Sequence, residues 1–111
     1  MKSDRVYLQH ILEMIKRIES TSHDGKSVFL ASQLHQDALL RNLHTMTETT
    51  QRLSNDLKSE HPEVDWAKLA AFRNVLVHDY LGLDLEVVWT VVTRDVPAFK
   101  AEVTKILGSI E

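Results

Sequence analysis

Leu85-Glu86-Val87-Val88-Trp89-Thr90-Val91-Val92-Thr93 is the stretch on which the fold class turns. Its β-branched residues favour a strand by propensity alone. The apolar spacing overrules that preference. Leu85, Val88, Trp89, Val92, Val96, Phe99, Val103, Ile106 and Ile110 follow at steps of three, one, three, four, three, four, three and four. That is a single stripe on an α-helix of about seven turns. Asp84 stands where an N-cap belongs, and Pro97 predicts a kink or a restart with Asp95 as the cap.

The chain upstream reads the same way. Asp65 caps a helix from Trp66 to about Tyr80, after the connector His61-Pro62-Glu63-Val64. Apolar residues surround this helix, which predicts burial on every side. Arg73 sits in the densest part, among Leu69, Ala70, Leu76 and Val77. Before it, one long helix is expected from about Ser32 to Lys58. Leu39, Leu43, Met46, Thr50, Leu53 and Leu57 form its seam, and Asp37, Arg41, His44, Glu48 and Asn55 its polar stripe. Val28, Phe29 and Leu30 make a short piece of one or two turns. The first helix, capped by Ser3 or Asp4, aligns Tyr7, Ile11, Met14, Ile15 and Ile18 and ends in the polar run Ser20 to Gly25. The expectation is an all-α, up-down bundle of four or five helices, one domain over residues 1–111.

Composition agrees. The 111 residues are 43% hydrophobic and 26% charged, with only three glycines and two prolines to punctuate turns. There is no cysteine, which excludes disulfides, thiolate zinc sites, iron–sulfur clusters and cysteine nucleophiles. A formal charge of −3 argues against non-specific binding of nucleic acid, so any such chemistry must rest on a local site. The N-terminus carries Lys2, Asp4 and Arg5 and lacks a signal-peptide apolar region, and no apolar run approaches the ~20 residues of a membrane span. A cytoplasmic protein with no membrane association is expected.

Two residues are candidates for chemistry. Arg73 cannot shed its charge, so in an apolar surface it must meet a carboxylate, a set of carbonyls or an incoming anion. A structural pair with Glu48 or Asp37 and a phosphate receptor are both open. His78 follows Asn74 by four residues, so the amide and the imidazole share one helical stripe. An amide there can orient a ring for acid–base work near neutral pH. The other histidines, His10, His23, His35, His44 and His61, read as surface or connector residues. No metal site is expected, because His78-Asp79 lacks helical ligand spacing. There is no glycine-rich phosphate loop and no nucleophile elbow.

The string Arg73-Asn74-Val75-Leu76-Val77-His78-Asp79-Tyr80 has the form Arg-x-x-x-x-His-x-Tyr. It resembles the signature of the HepT family of HEPN-domain ribonuclease toxins. Asp4-Arg5-Val6-Tyr7-Leu8, Gln36-Asp37-Ala38, Arg41-Asn42-Leu43 leading to Glu48, His61-Pro62-Glu63, Trp66, and Leu81-Gly82-Leu83-Asp84-Leu85 with Val88-Trp89 extend the resemblance over nearly the whole chain. Asn74 stands where many relatives carry Asp, and Thr47 and Thr49 stand where the family usually has Gly and Ala.

The resemblance implies a homodimeric, metal-independent endoribonuclease, the toxin of a type VII-like toxin–antitoxin pair. It implies RNA as substrate and a minimal nucleotidyltransferase antitoxin as partner. That partner would use ATP and Mg²⁺ to transfer AMP to Tyr80, and the chain itself would need no cofactor. Arg73 and His78, with Asn74 as orienting group, would be catalytic, supported by Arg41, Glu48 and Asp37. Five residues on an ideal helix separate Arg73 from His78 by about 140°. Two chains across a twofold axis would bring one of each together. The alternatives are a non-catalytic HEPN adaptor that binds a nucleotidyltransferase, and a structural helical dimer with a buried Arg–Glu pair.

Overall fold

The computed structural model describes residues 3–110, so Lys2, counted above among the N-terminal charges, lies outside the described residues with Met1 and Glu111. Four long helices carry the fold: α1 (Asp4–Ser22), α3 (Gln33–Thr50), α5 (Trp66–His78) and α7 (Val96–Ile110). Between them run the short helices α2 (Lys26–Ala31), α4 (Asn55–Glu60) and α6 (Leu85–Thr90). Helix α1 lies between α3 and α7, and α5 packs on the far side of α3. Leu8, Ile11, Leu39, Leu43, Val103 and Ile106 close the centre with no exposed surface. The all-α bundle expected from periodicity is the one observed, with more short helices than the four or five anticipated.

Three local features differ from the sequence reading. The single helix expected from Ser32 to Lys58 is two helices, α3 and α4. The hydroxyls of Thr47, Thr49 and Thr50 donate back to the carbonyls of Leu43, Thr45 and Thr47, an interaction that bends helices. The chain then leaves the helix, and Ser54 starts α4 by accepting from the Leu57 N–H. Asp4 does not cap α1. Its carboxylate takes the Ser54 N–H at 2.8 Å and the Ser54 Oγ–H at 2.6 Å, which ties the first turn of α1 to the break. Leu53 and Leu57 stay buried, so the apolar seam survives the interruption. Ser54→Ala loses the cap and one arm of the Asp4 clamp. Thermal unfolding should show a loss of about 1 kcal/mol, or a Tm drop of ~4 °C. The Asp4→Ala, Ser54→Ala double variant should lose less than the sum of the singles.

Helix α5 is not buried on every side. Leu76 is its one fully buried residue, while Val75 and Val77 remain 41% and 39% exposed. One face packs on α3, and Trp66 meets Phe99 edge to face at 6.3 Å. Beyond that contact the seam between α5 and the α6–α7 arm opens into a groove of about 800 Å³. Leu69, Phe72, Val75, Val87 and Val91 line it.

The third difference lies in the C-terminal arm. Asp84 caps α6 as expected, accepting from the Glu86 N–H at 2.9 Å. Residues Val91–Asp95 form a π-helical turn, in which the Val96 N–H bonds the Val91 carbonyl. The wider turn accommodates Pro97, which has no N–H and whose ring would clash with a carbonyl in a regular turn. Asp95 is therefore not a cap; it lies inside the turn and faces Arg94 at 3.7 Å. Val92, Val96 and Phe99 keep the stripe buried across it. Among the described residues no helix is long and apolar enough to cross a membrane.

Candidate active site

The packing of α5 on α3 sets the polar stripe of α3 against the second half of α5. Asp65 starts α5 by accepting from the Lys68 N–H at 2.9 Å, and this fixes the register of the motif. The Nε of Arg73 donates to Glu48 Oε1. Of the two carboxylates open to Arg73 from the sequence, Glu48 is the partner. The pair is half-buried, with side chains 32% and 34% exposed, so Arg73 is less enclosed than its apolar neighbours suggested. Arg73 Nη1 donates to Asn74 Oδ1 at 3.1 Å. Of the five guanidinium N–H groups, these bonds use two, and the remaining three can grip an anion.

Asn74 was expected to orient His78. Its oxygen instead accepts from Arg73, the charged donor beside it, in a charge-assisted bond. His78 is the last residue of α5 and is exposed. None of the described residues bonds its ring.

Tyr80 does not continue the α5 stripe. The Asp79 N–H closes α5 on the Val75 carbonyl, and Tyr80–Gly82 form a 3₁₀ turn. The turn swings Tyr80 back onto α3, where its Oη donates to Asp37 Oδ1 at 3.2 Å. Burial raises the phenol above the ordinary tyrosine range; the Asp37 charge and this hydrogen bond push the same way. The residue stays 41% exposed.

Asp37 and Glu48 thus hold Tyr80 and Arg73 from one helix face. Arg41 lies between them on the same stripe. It is exposed, and none of the described residues bonds it. His44, read from sequence as an ordinary surface residue, approaches Glu48 at 3.9 Å. Its i, i+4 spacing to Glu48 was the signal for that contact. Asp37 and Glu48 balance the formal charges of Arg41 and Arg73 along this stripe, and the outer guanidinium edge of Arg73 still presents N–H donors. Among the described residues no group of three His, Asp or Glu side chains is placed to hold a metal ion.

Residues 11–106 match a family described as ribonuclease HepT-like. The chain is 34% identical over 106 residues to a probable ribonuclease HepT of Thermococcus cleftensis, covering 95% of this chain and 96% of that one. It is 28% identical over 111 residues to a putative RNase of Caldanaerobacter subterraneus, covering 96% of each. A protein of Methanocaldococcus jannaschii named gamma-glutamylcyclotransferase and putative RNase is 32% identical over 111 residues. That match covers 99% of this chain, which spans only half (50%) of the longer relative. No solved structure matches the chain. A matched stretch that holds α3, α5 and every residue of the Arg73–Tyr80 site makes the chain a member of the HepT-like ribonuclease family.

Proposed function

We propose that this chain is a metal-independent endoribonuclease, the toxin of a toxin–antitoxin pair, with Arg73 and His78 as its catalytic residues. The observation that carries this reading is an arginine fixed by Glu48 with donors to spare, on the same helix as an unbonded, exposed histidine. In the reaction the ribose 2′-OH attacks the adjacent phosphorus and the P–O5′ bond breaks. His78 takes the 2′-OH proton or delivers one to the departing 5′ oxygen. Arg73 stabilises the extra negative charge on the pentacoordinate phosphorus. The products are a 2′,3′-cyclic phosphate and a 5′-hydroxyl.

The active form we infer is a homodimer. Arg73 and His78 diverge by about 140° around α5, so a single phosphodiester meets both most simply across a twofold axis. The open α5–α7 groove supports this assembly. It is apolar along its floor, and one carboxylate oxygen of Glu102 within it is buried without a partner. The cognate partner of this reading is a minimal nucleotidyltransferase that transfers AMP to Tyr80.

The test is incubation of the purified chain with single-stranded RNA in EDTA, beside a DNA strand of the same sequence. The RNA should be cut to fragments ending in 2′,3′-cyclic phosphate while the DNA, which lacks the nucleophile, stays whole. Cleavage of both strands, or of neither, would rule the mechanism out.

A further inference from the structure

A second groove lies on the other side of Glu48, between α1 and α3. At about 460 Å³ it falls in the usual size range of small-ligand sites. Tyr7, His10, His44 and Arg52 line it, and Glu48 forms the wall it shares with Arg73.

The groove is built rather than incidental. Thr49 Oγ1 has one proton, and it goes to the Thr45 carbonyl at 2.8 Å. The 3.0 Å contact between the same oxygen and His10 Nδ1 therefore has the imidazole donating. That fixes the ring and its tautomer, with Nε2 left open to a ligand. His10 is exposed, and among the described residues none bonds Nε2. Arg52 is likewise exposed, and none of the described residues pairs with it. The one carboxylate in the groove, Glu48, is already engaged by Arg73.

We propose that this groove is a nucleotide subsite for the RNA strand, flanking the phosphate that Arg73 holds. An unstacked base lies against the rings of Tyr7, His10 and His44, His10 Nε2 reads an edge of that base, and Arg52 takes the neighbouring phosphate. Flat rings beside a guanidinium are the usual means of holding single-stranded RNA. The proposal rests on the ribonuclease reading of the Arg73 site and adds where the strand runs: along the α1–α3 surface, away from α5.

Binding is measured with the full chain and a fluorescent 2′-O-methyl oligoribonucleotide of about eight residues, which cannot be cleaved. Arg52→Ala and His10→Ala should each weaken it by roughly 5- to 50-fold, the scale of losing one stacked base or one phosphate contact. In cleavage assays the rise in KM of Arg52→Ala should be larger for an RNA of that length than for a dinucleotide, which has no second phosphate for Arg52 to hold. Arg52 has no bond to lose, so its variant reports on ligand alone even if His10→Ala unfolds. Unchanged binding by Arg52→Ala from a wild type that cleaves RNA overturns the subsite and leaves the ribonuclease reading intact. An equal KM penalty on both substrate lengths also overturns it. A wild type that neither binds nor cleaves RNA removes both.

Discussion

RNA cleavage should fall by at least ~10²-fold in His78→Ala and in Arg73→Ala, the scale of losing a proton-transfer group or a charge-stabilising donor. The two losses have different origins. His78 has no structural bond, so its removal leaves the fold untouched and reads on chemistry alone. Arg73→Ala strands Glu48, whose carboxylate would then face an incoming phosphate with only His44 near it at 3.9 Å. Arg73→Lys should recover little, since an ammonium cannot bond Glu48 and keep a planar edge for phosphate. Mixing the two dead variants tests the composite site. A heterodimer of His78→Ala with Arg73→Ala holds one intact site and one doubly broken site. Random exchange makes half the dimers mixed, so about a quarter of wild-type activity should return. No recovery after subunit exchange would place both groups in one chain. Undiminished cleavage by purified His78→Ala would remove His78 from the mechanism.

How far the sequence reveals this site depends on what kind of interaction places each residue. Helical period alone located the four long helices, because buried positions such as Ile11, Leu43 and Val103 are spaced by the geometry of the turn itself. Period did not show where those helices stop. The end of α3 is set by threonine hydroxyls and by Asp4, fifty residues from Ser54, and no local pattern announces a clamp of that range. The exposed side of α5 was misjudged for a related reason. An apolar face says that something covers it, not that the same chain does, and here the α6–α7 arm splays away after Trp66. Pairing within the site followed the same rule. Arg73 was bound to meet a carboxylate, and charge alone left Glu48 and Asp37 equal; the 3₁₀ turn after His78 assigned Asp37 to Tyr80. Asn74 went to the stronger partner beside it rather than to the one at helical spacing. The His10–Thr49 contact gave no signal, because it forms only when α1 packs on α3.

Wild-type chain co-expressed with its nucleotidyltransferase, in the presence of ATP and Mg²⁺, should gain whole multiples of the AMP mass, and Tyr80→Phe should gain none. The phenol oxygen attacks the α-phosphorus of ATP, pyrophosphate leaves, and the phenol proton must go to a base. Burial first, and Asp37 second, hold Tyr80 above the ordinary tyrosine range, so its proton is harder to remove during the transfer than that of a free phenol. Stability linked to this neutral form is complete below the ordinary tyrosine value and is lost only as pH rises through the higher folded-state value. Asp37 Oδ1 already accepts the phenol hydrogen at 3.2 Å and is the nearest candidate for the departing proton. Asp37→Asn should therefore slow the transfer even though it brings the phenol back toward its ordinary acidity. Once modified, Tyr80 can no longer donate to Asp37, and its phosphodiester carries a negative charge onto the stripe where Arg41 is exposed and unbonded. The attached phosphate competes with RNA for the guanidinium groups, and the adenine fills cleft volume. Tyr80→Phe should consequently keep cleaving RNA in the presence of the partner and ATP, while the wild type falls silent. If the wild type gains no AMP, or Tyr80→Phe gains it equally, silencing must come from the partner covering the cleft rather than from chemistry at Tyr80.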